Sequence, residues 1–124
     1  MRGGERVLVA GLLTVLCATG ERVGAQDRPP IELTVVNIEY EGTKIWVPST
    51  LVAKKGDKVK VKLINNVPSD PNQHGFKIAA FNVEAVVTRG EPKTVEFVAD
   101  KAGIFPITCQ LHPAHVGGQL LVLE

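Results

Sequence analysis

Residues that bind metal ions are concentrated in one short stretch near the C-terminus. Cys109, His112 and His115 follow one another at intervals of three residues, and His74 is the only other histidine of the chain. A thiolate and three imidazoles offer sulfur and nitrogen donors, which suit copper and also a tetrahedral structural zinc site. We take copper as the leading candidate, with one ion per chain held by these four residues, and zinc as the alternative.

The axial donor of such a copper site is the open question. The only methionine is Met1, so the mature chain has no thioether for the weak axial bond of a blue-copper site. Either His115 takes the axial position or that position is open. In the second case, the His115 side chain turns toward solvent and marks the point where electrons enter. The axial position therefore decides between a closed four-ligand site and one that admits a small molecule.

The first 25 residues have the features of an export signal. Arg2 and Arg6 form a basic start before an apolar run at 7–16, and small residues at 23–25 offer a cleavage point. A run of this length is too short to span a bilayer. Cys17 raises the alternative of a lipoprotein, and an uncleaved anchor is another, but the cleavage pattern favours a signal peptide at 1–25. We predict a periplasmic or secreted protein that has no membrane attachment after cleavage.

The remainder, 26–124, is long enough for a single domain. Residues 1–25 hold three of the 14 basic and two of the 13 acidic side chains, which leaves eleven of each sign. This balance lacks the basic footprint of nucleic-acid binding, so no nucleic-acid partner is expected. In an oxidising compartment Cys109 has no partner for an intramolecular disulfide, and the nearby histidines favour a metal-bound thiolate.

The mature sequence is typical of β-strands joined by turns. The stretch 58–64 alternates apolar residues with Lys58, Lys60 and Lys62, which predicts one buried and one solvated face. Strands are predicted at 31–40, 58–64, 75–78, 82–87, 94–99, 104–109 and 119–123, with shorter extended pieces at 45–47 and 51–53. Seven or eight short strands with regular turns indicate an all-β, Greek-key β-sandwich.

This architecture brings the candidate ligands to one end of the sandwich. Cys109 ends one strand and the returning strand begins at Gln119, so 109–118 forms a loop. His74 lies at the junction of a loop and a strand, from which it can reach the same end. We expect apolar side chains to surround the site, namely Phe76, Phe81, Phe105, Ile107 and Leu111.

Four short segments resemble the cupredoxin family. They are K-K-G-D at 54–57, H-G-F at 74–76, A-D-K-A-G at 99–103 and C-Q-L-H-P at 109–113. Within that family, residues 50–124 are most similar to nitrosocyanin, a red copper protein. The resemblance implies a cupredoxin-like β-sandwich with Cys109 and His112 as copper ligands, and with His115 as the counterpart of a further loop histidine.

Two features depart from the nitrosocyanin pattern. His74 stands before Gly-Phe where nitrosocyanin has a glutamate ligand, and the loop between His112 and His115 is shorter. The spacing is similar to the compact Cys-x-x-His-x-x-Met loop of amicyanin, with His115 in place of the methionine. These departures from the nitrosocyanin pattern therefore predict a Cys-His-His-His site in place of a glutamate-bound one.

Three functions fit a site of this kind. The first is a periplasmic electron carrier that cycles between Cu(I) and Cu(II), and the second is a nitrosocyanin-like enzyme or nitric-oxide-reactive protein with an open site. The third is a copper delivery or storage module. Four protein ligands favour the carrier, and hence a protein that is not an enzyme.

A redox partner would dock near the His112/His115 loop or on the Lys58, Lys60 and Lys62 face, which is otherwise a solvated strand face. Self-association stays open.

Overall fold

The computed structural model describes residues 28–124, and the predicted signal peptide at 1–25 lies outside this range. Within 28–124, nine strands form where seven or eight were predicted, because the two shorter extended pieces pair as full strands. The strands are β1 (Ile31–Tyr40), β2 (Thr43–Val47), β3 (Thr50–Lys54), β4 (Lys58–Asn65), β5 (Gln73–Ile78), β6 (Val83–Thr88), β7 (Lys93–Val98), β8 (Gly103–Ile107) and β9 (Gly118–Leu123). Within this range, a single 3-10 turn at Ala79–Phe81 is the one helical element, and no helix there has the length and apolarity to cross a membrane.

The strands form two facing layers. One sheet has the order β2-β1-β4-β7, and β1 runs parallel to β4. The other layer contains the sheet β3-β9-β8, in which β3 is parallel to β9, and the hairpin β5-β6. Two backbone hydrogen bonds of 2.9 Å between Lys77 and Thr108 join that hairpin to the end of β8. The parallel pairs β1/β4 and β3/β9 require connections that cross over other strands, and this topology confirms the predicted Greek-key β-sandwich.

Strand β4 shows why the sandwich forms. Val59, Val61 and Leu63 are fully or almost fully buried between the layers, and the alternating lysines lie on the opposite face. This confirms the strand with one buried and one solvated face. The Lys60 ammonium lies 4.0 Å from the Glu32 carboxylate and 3.8 Å from that of Glu96, on the strands to either side. Neighbouring carboxylates therefore offset the positive charge at the middle of the lysine row.

The aromatic side chains divide between the two ends of the sandwich. The ring centroid of Phe81 lies 4.9 Å from that of Phe105 and 5.3 Å from that of Phe97. Phe97 is in register with Val59 near the start of β4, whereas the candidate ligands gather beyond its end. Phe81 and Phe105 therefore belong to an aromatic cluster at the opposite end. The prediction that these two rings surround the metal site is wrong, because the 3-10 turn carries Phe81 away from the ligands.

Candidate metal centre

The four predicted ligands converge at one end of the sandwich. One donor atom from each lies within 4.8 Å of the other three, and the residues are His74, Cys109, His112 and His115. The His112 and His115 rings stack with centroids 4.6 Å apart, and the His74 ring lies 5.2 Å from each. The Cys109 Sγ lies 3.6 Å from Nδ1 of His112. A single ion can therefore be reached by all four side chains.

Two consecutive turns explain why the ligands of the loop are spaced by three residues. The His112 N–H donates to the Cys109 carbonyl at 3.2 Å, and the His115 N–H donates to the His112 carbonyl at 2.9 Å. Each such i to i+3 bond closes a tight turn and so brings residues three positions apart close together. The two turns therefore bring the thiol and both imidazoles together on the loop.

The start and the return of this loop are both fixed by backbone contacts. Strand β8 ends at Ile107, two residues earlier than predicted, because Thr108 pairs with β5 and no longer with β9. At the return, the Gln119 N–H donates to the Ser49 carbonyl at 2.8 Å. A side chain at Gly118 would bring its Cβ within 2.2 Å of that same carbonyl oxygen. Glycine is needed here because the backbones approach closely.

His74 is positioned by a buried amide that the sequence analysis did not single out. The Asn65 Nδ2 donates to the carbonyls of Asn72 at 2.9 Å and Val87 at 3.0 Å, and its Oδ1 accepts from the Val67 N–H at 3.0 Å. Val87 is the residue opposite His74 in the β5-β6 hairpin. One side chain thus ties both ends of the loop that precedes His74 to the strand pair that carries it. The sequence feature that could have identified Asn65 is its position at the point where the apolar alternation of β4 ends.

Gly75 is the second residue that the sequence analysis did not assign to the site. Its N–H donates to the Cys109 Sγ at 3.1 Å, a buried bond between residues 34 positions apart. A Cβ on Gly75 would lie 2.2 Å from Oε1 of Gln110 and 3.0 Å from its backbone nitrogen. The Gln110 Nε2 in turn donates to the Ala85 carbonyl at 3.1 Å. The missing side chain lets the cysteine turn pack directly on β5.

Burial sets the electrostatics of the imidazoles. His74 is fully buried, and desolvation, followed by the neighbouring His115 and His112, lowers the pKa of His74 from 6.5 to about 4. Desolvation, then His112 and Lys44, also lowers the pKa of His115. His74 is therefore neutral at neutral pH, the form in which imidazole binds a metal.

A family comparison agrees with this fold. The Cupredoxin-like domain family model matches residues 6–122, and the chain belongs to this family. The predicted membership of the cupredoxin family is thereby confirmed. The closer resemblance to nitrosocyanin stays a prediction.

Relatives of known function match only part of the chain. Nitrous-oxide reductase of Cupriavidus necator is 43% identical over 56 residues, and that of Ralstonia nicotianae is 38% identical over 56 residues. Each match covers 45% of this chain and 9% of the relative. The chain thus spans less than a tenth of the length of these enzymes.

Solved structures with the same fold include two copper proteins. The copper nitrite reductase of Nitrosomonas europaea superposes with a TM-score of 0.61 at 20% identity, over 77% of this chain and 42% of that one. The metal-binding domain of the Cu(I)-exporting P-type ATPase of Streptococcus pneumoniae, solved with Cu(I), gives 0.59 at 14% identity, over 74% of this chain and 87% of that one. At these identities the likeness shows the fold.

The site residues fit the copper ion that the family implies. Both ring nitrogens of His74 and Nδ1 of His115 are buried without a hydrogen-bond partner. Buried polar atoms are rarely left in this state, because desolvation without a partner costs free energy. A soft or borderline ion would take up some of these nitrogens together with the thiolate. The orphaned nitrogens therefore indicate a metal centre rather than a structural histidine cluster.

The burial of His74 predicts how the stability of the metal-free protein depends on pH. The pKa is about 4 in the folded state and near 6.5 in the unfolded chain, so the unfolded chain takes up a proton first as pH falls. The stability is full above pH 6.5 and is lost as pH falls from 6.5 toward 4. We expect His74 to lower the free energy of unfolding by about 2–3 kcal/mol between pH 7 and pH 4.5.

Urea unfolding of metal-free wild type and His74→Gln at both pH values isolates this contribution. Carboxylates titrate in both proteins, so the difference between their two pH dependences reports His74. Equal pH dependences would show that His74 is not buried in its neutral form.

Proposed function

We propose that this domain is an exported copper protein that carries single electrons. The observation that carries the proposal is the convergence of four donor side chains within 4.8 Å, namely His74, Cys109, His112 and His115. Copper, when bound, supplies one-electron chemistry by cycling between Cu(I) and Cu(II). The family membership and the copper named in the solved relatives support this choice of metal over zinc.

Each of the binding residues has a distinct role. Cys109 supplies the strongest donor, and the N–H of Gly75 stabilises the charge on its sulfur. His74 offers a neutral imidazole from the buried strand, so no proton has to be displaced from it at neutral pH. His112 and His115 close the site from the loop side.

The anchoring of these ligands favours electron transfer. His74 is fixed through the amide of Asn65, and the loop is fixed at Thr108 and Gln119 by backbone hydrogen bonds. A site held on a rigid sandwich changes its shape little between oxidation states, which suits a carrier. Four protein donors also fill the positions that a reacting molecule would need, so the arrangement favours a carrier over an enzyme.

The exposed rim of the ligand loop is the proposed docking surface for the redox partner. Leu111 is 42% exposed and Val116 is 49% exposed, and they flank the loop histidines. Exposed apolar surface marks many protein interaction sites, and these two side chains offer apolar area beside the ligand loop. The lysine row on β4 is the weaker choice, because Glu32 and Glu96 offset the charge of Lys60.

Export is part of the proposal. The basic start, the short apolar run and the small residues at 23–25 support a signal peptide at 1–25. The single cysteine of the mature chain also suits an oxidising compartment, where a metal protects a thiolate that has no disulfide partner.

Copper binding through sulfur has a direct optical test. Titrating Cu(II) into the metal-free mature protein should produce an intense visible sulfur-to-copper charge-transfer band, because Cys109 is a ligand. Cys109→Ser should remove the band, while Lys62→Ala on the outer face of β4 should retain it. A colourless wild-type complex whose thiol stays as reactive as before would contradict the copper-thiolate site.

Copper binding by His115 predicts a second spectroscopic series. An imidazole is a stronger donor than a thioether, so it should weaken the copper-sulfur bond and favour Cu(II). His115→Met should then shift the absorption toward blue copper and raise the potential, and His115→Ala should open a position for azide. Unchanged absorption, EPR parameters and potential in both variants would place His115 outside the ligand set.

Electron carriage is separated from enzymatic turnover by kinetics. The copper-loaded protein should exchange electrons rapidly with small redox couples and show no turnover of nitrite, nitric oxide or peroxide, because its four donors leave no open position. Stopped-flow and steady-state assays measure the two properties. Multiple turnover that is lost in His112→Ala would instead support the enzyme, and rapid transfer of copper to a chelator would support delivery.

A further inference from the structure

The backbone of Gly75 lies where the pairing between β5 and the end of β8 stops. Two residues further along, Lys77 exchanges two hydrogen bonds of 2.9 Å with Thr108. The N–H and C=O of one residue in an antiparallel strand point to the same side, so Gly75 presents both groups on the side of Lys77. Its N–H donates to the Cys109 Sγ at 3.1 Å, where a further strand residue would otherwise be the partner.

The Gly75 carbonyl has its hydrogen-bond partner in Trp46 on β2. Its indole Nε1–H donates to the Gly75 carbonyl at 2.9 Å in a buried hydrogen bond. The indole also meets the Phe76 ring edge to face, with centroids 5.5 Å apart and an interplanar angle of 84°. The preceding residue, Ile45, pairs with Val116 of the ligand loop. Strand β2 therefore contacts both segments that carry ligands.

We propose that Trp46 is a positioning residue of the copper centre, which holds the Gly75 N–H on the Cys109 thiolate by fixing the Gly75 carbonyl. The inference rests on the proposed copper site and adds a residue outside its ligand set. A hydrogen bond to the thiolate withdraws electron density from sulfur and so favours Cu(I) over Cu(II). Trp46 thereby acts on the reduction potential through Gly75 without binding the metal.

The chain has one tryptophan, which permits a test at the level of a single atom. Biosynthetic replacement of Trp46 by benzothienyl-alanine substitutes sulfur for the indole N–H and keeps the shape of the ring. In the metal-free protein, hydrogen exchange of the Gly75 amide, followed by NMR, should become at least about tenfold faster, because a looser backbone weakens its bond to sulfur.

The copper-loaded replacement should show a matching electronic change. The sulfur-to-copper band should move to longer wavelength, because sulfur loses a hydrogen bond that stabilises its electrons. Groups outside the ligand set tune a metal centre, and we expect the preference for Cu(I) over Cu(II) to fall by roughly tenfold, which is about 59 mV for one electron. Trp46→Phe should shift both quantities in the same direction.

A matched control and separate readouts keep the outcomes distinct. Phe81→Leu removes aromatic packing in the separate cluster. It should lower the stability of the protein but leave the sulfur-to-copper band and the reduction potential as they are in wild type. If Trp46→Phe fails to fold, the isosteric replacement decides. Wild-type exchange, band and potential in the isosteric protein would overturn the role of Trp46. A wild-type protein without the band would overturn the copper site, and Gly75 exchange in the metal-free protein would still test the hydrogen-bond link.

Discussion

The hydrogen bond from the Gly75 N–H to the Cys109 sulfur joins the two parts of the chain that form the metal centre. The strand that carries His74 comes from one hairpin, and the ligand loop connects β8 to β9. Their close approach depends on the missing side chain at Gly75, since a Cβ there would overlap Gln110. If this contact were lost, the loop would still be held at Thr108 and Gln119, but the Cys109 sulfur would lose its direct link to the strand that carries His74.

The sandwich explains how so small a domain can hold buried polar groups. Apolar faces of both layers supply the core, and most of the buried polar residues lie at the metal end, where Asn65 satisfies the backbone of the loop before His74. Besides the side-chain oxygens of Asn37 and Gln110, the imidazoles of His74 and His115 have buried nitrogens without a hydrogen-bond partner. Their desolvation lowers both pKa values and leaves neutral imidazoles beside a thiol. The same burial that costs stability at low pH prepares the donors for a metal.

Much of this arrangement was predictable from local patterns. Alternation on β4 predicted its two faces, as the structure confirms, and the spacing of Cys109, His112 and His115 predicted a ligand set whose side chains the structure brings together with His74. The roles of Gly75, Asn65 and Trp46 could not be predicted in this way. Each depends on a partner far away in the sequence, such as the Trp46 indole on a carbonyl 29 residues later. The placement of Phe81 was misjudged for the same reason, because apolar character does not reveal at which end of a sandwich a ring packs.

X-ray absorption at the copper edge reports the ligands of copper in both oxidation states and so tests whether Cys109 and the histidines hold the metal. A rigid Cys-His-His-His site predicts one sulfur scatterer and imidazole ligands in the Cu(II) and the Cu(I) protein, with little change in bond lengths upon reduction. A spectrum without a sulfur scatterer would contradict the Cys109 site. A change in the number of ligands upon reduction would contradict the rigid centre on which electron transfer depends.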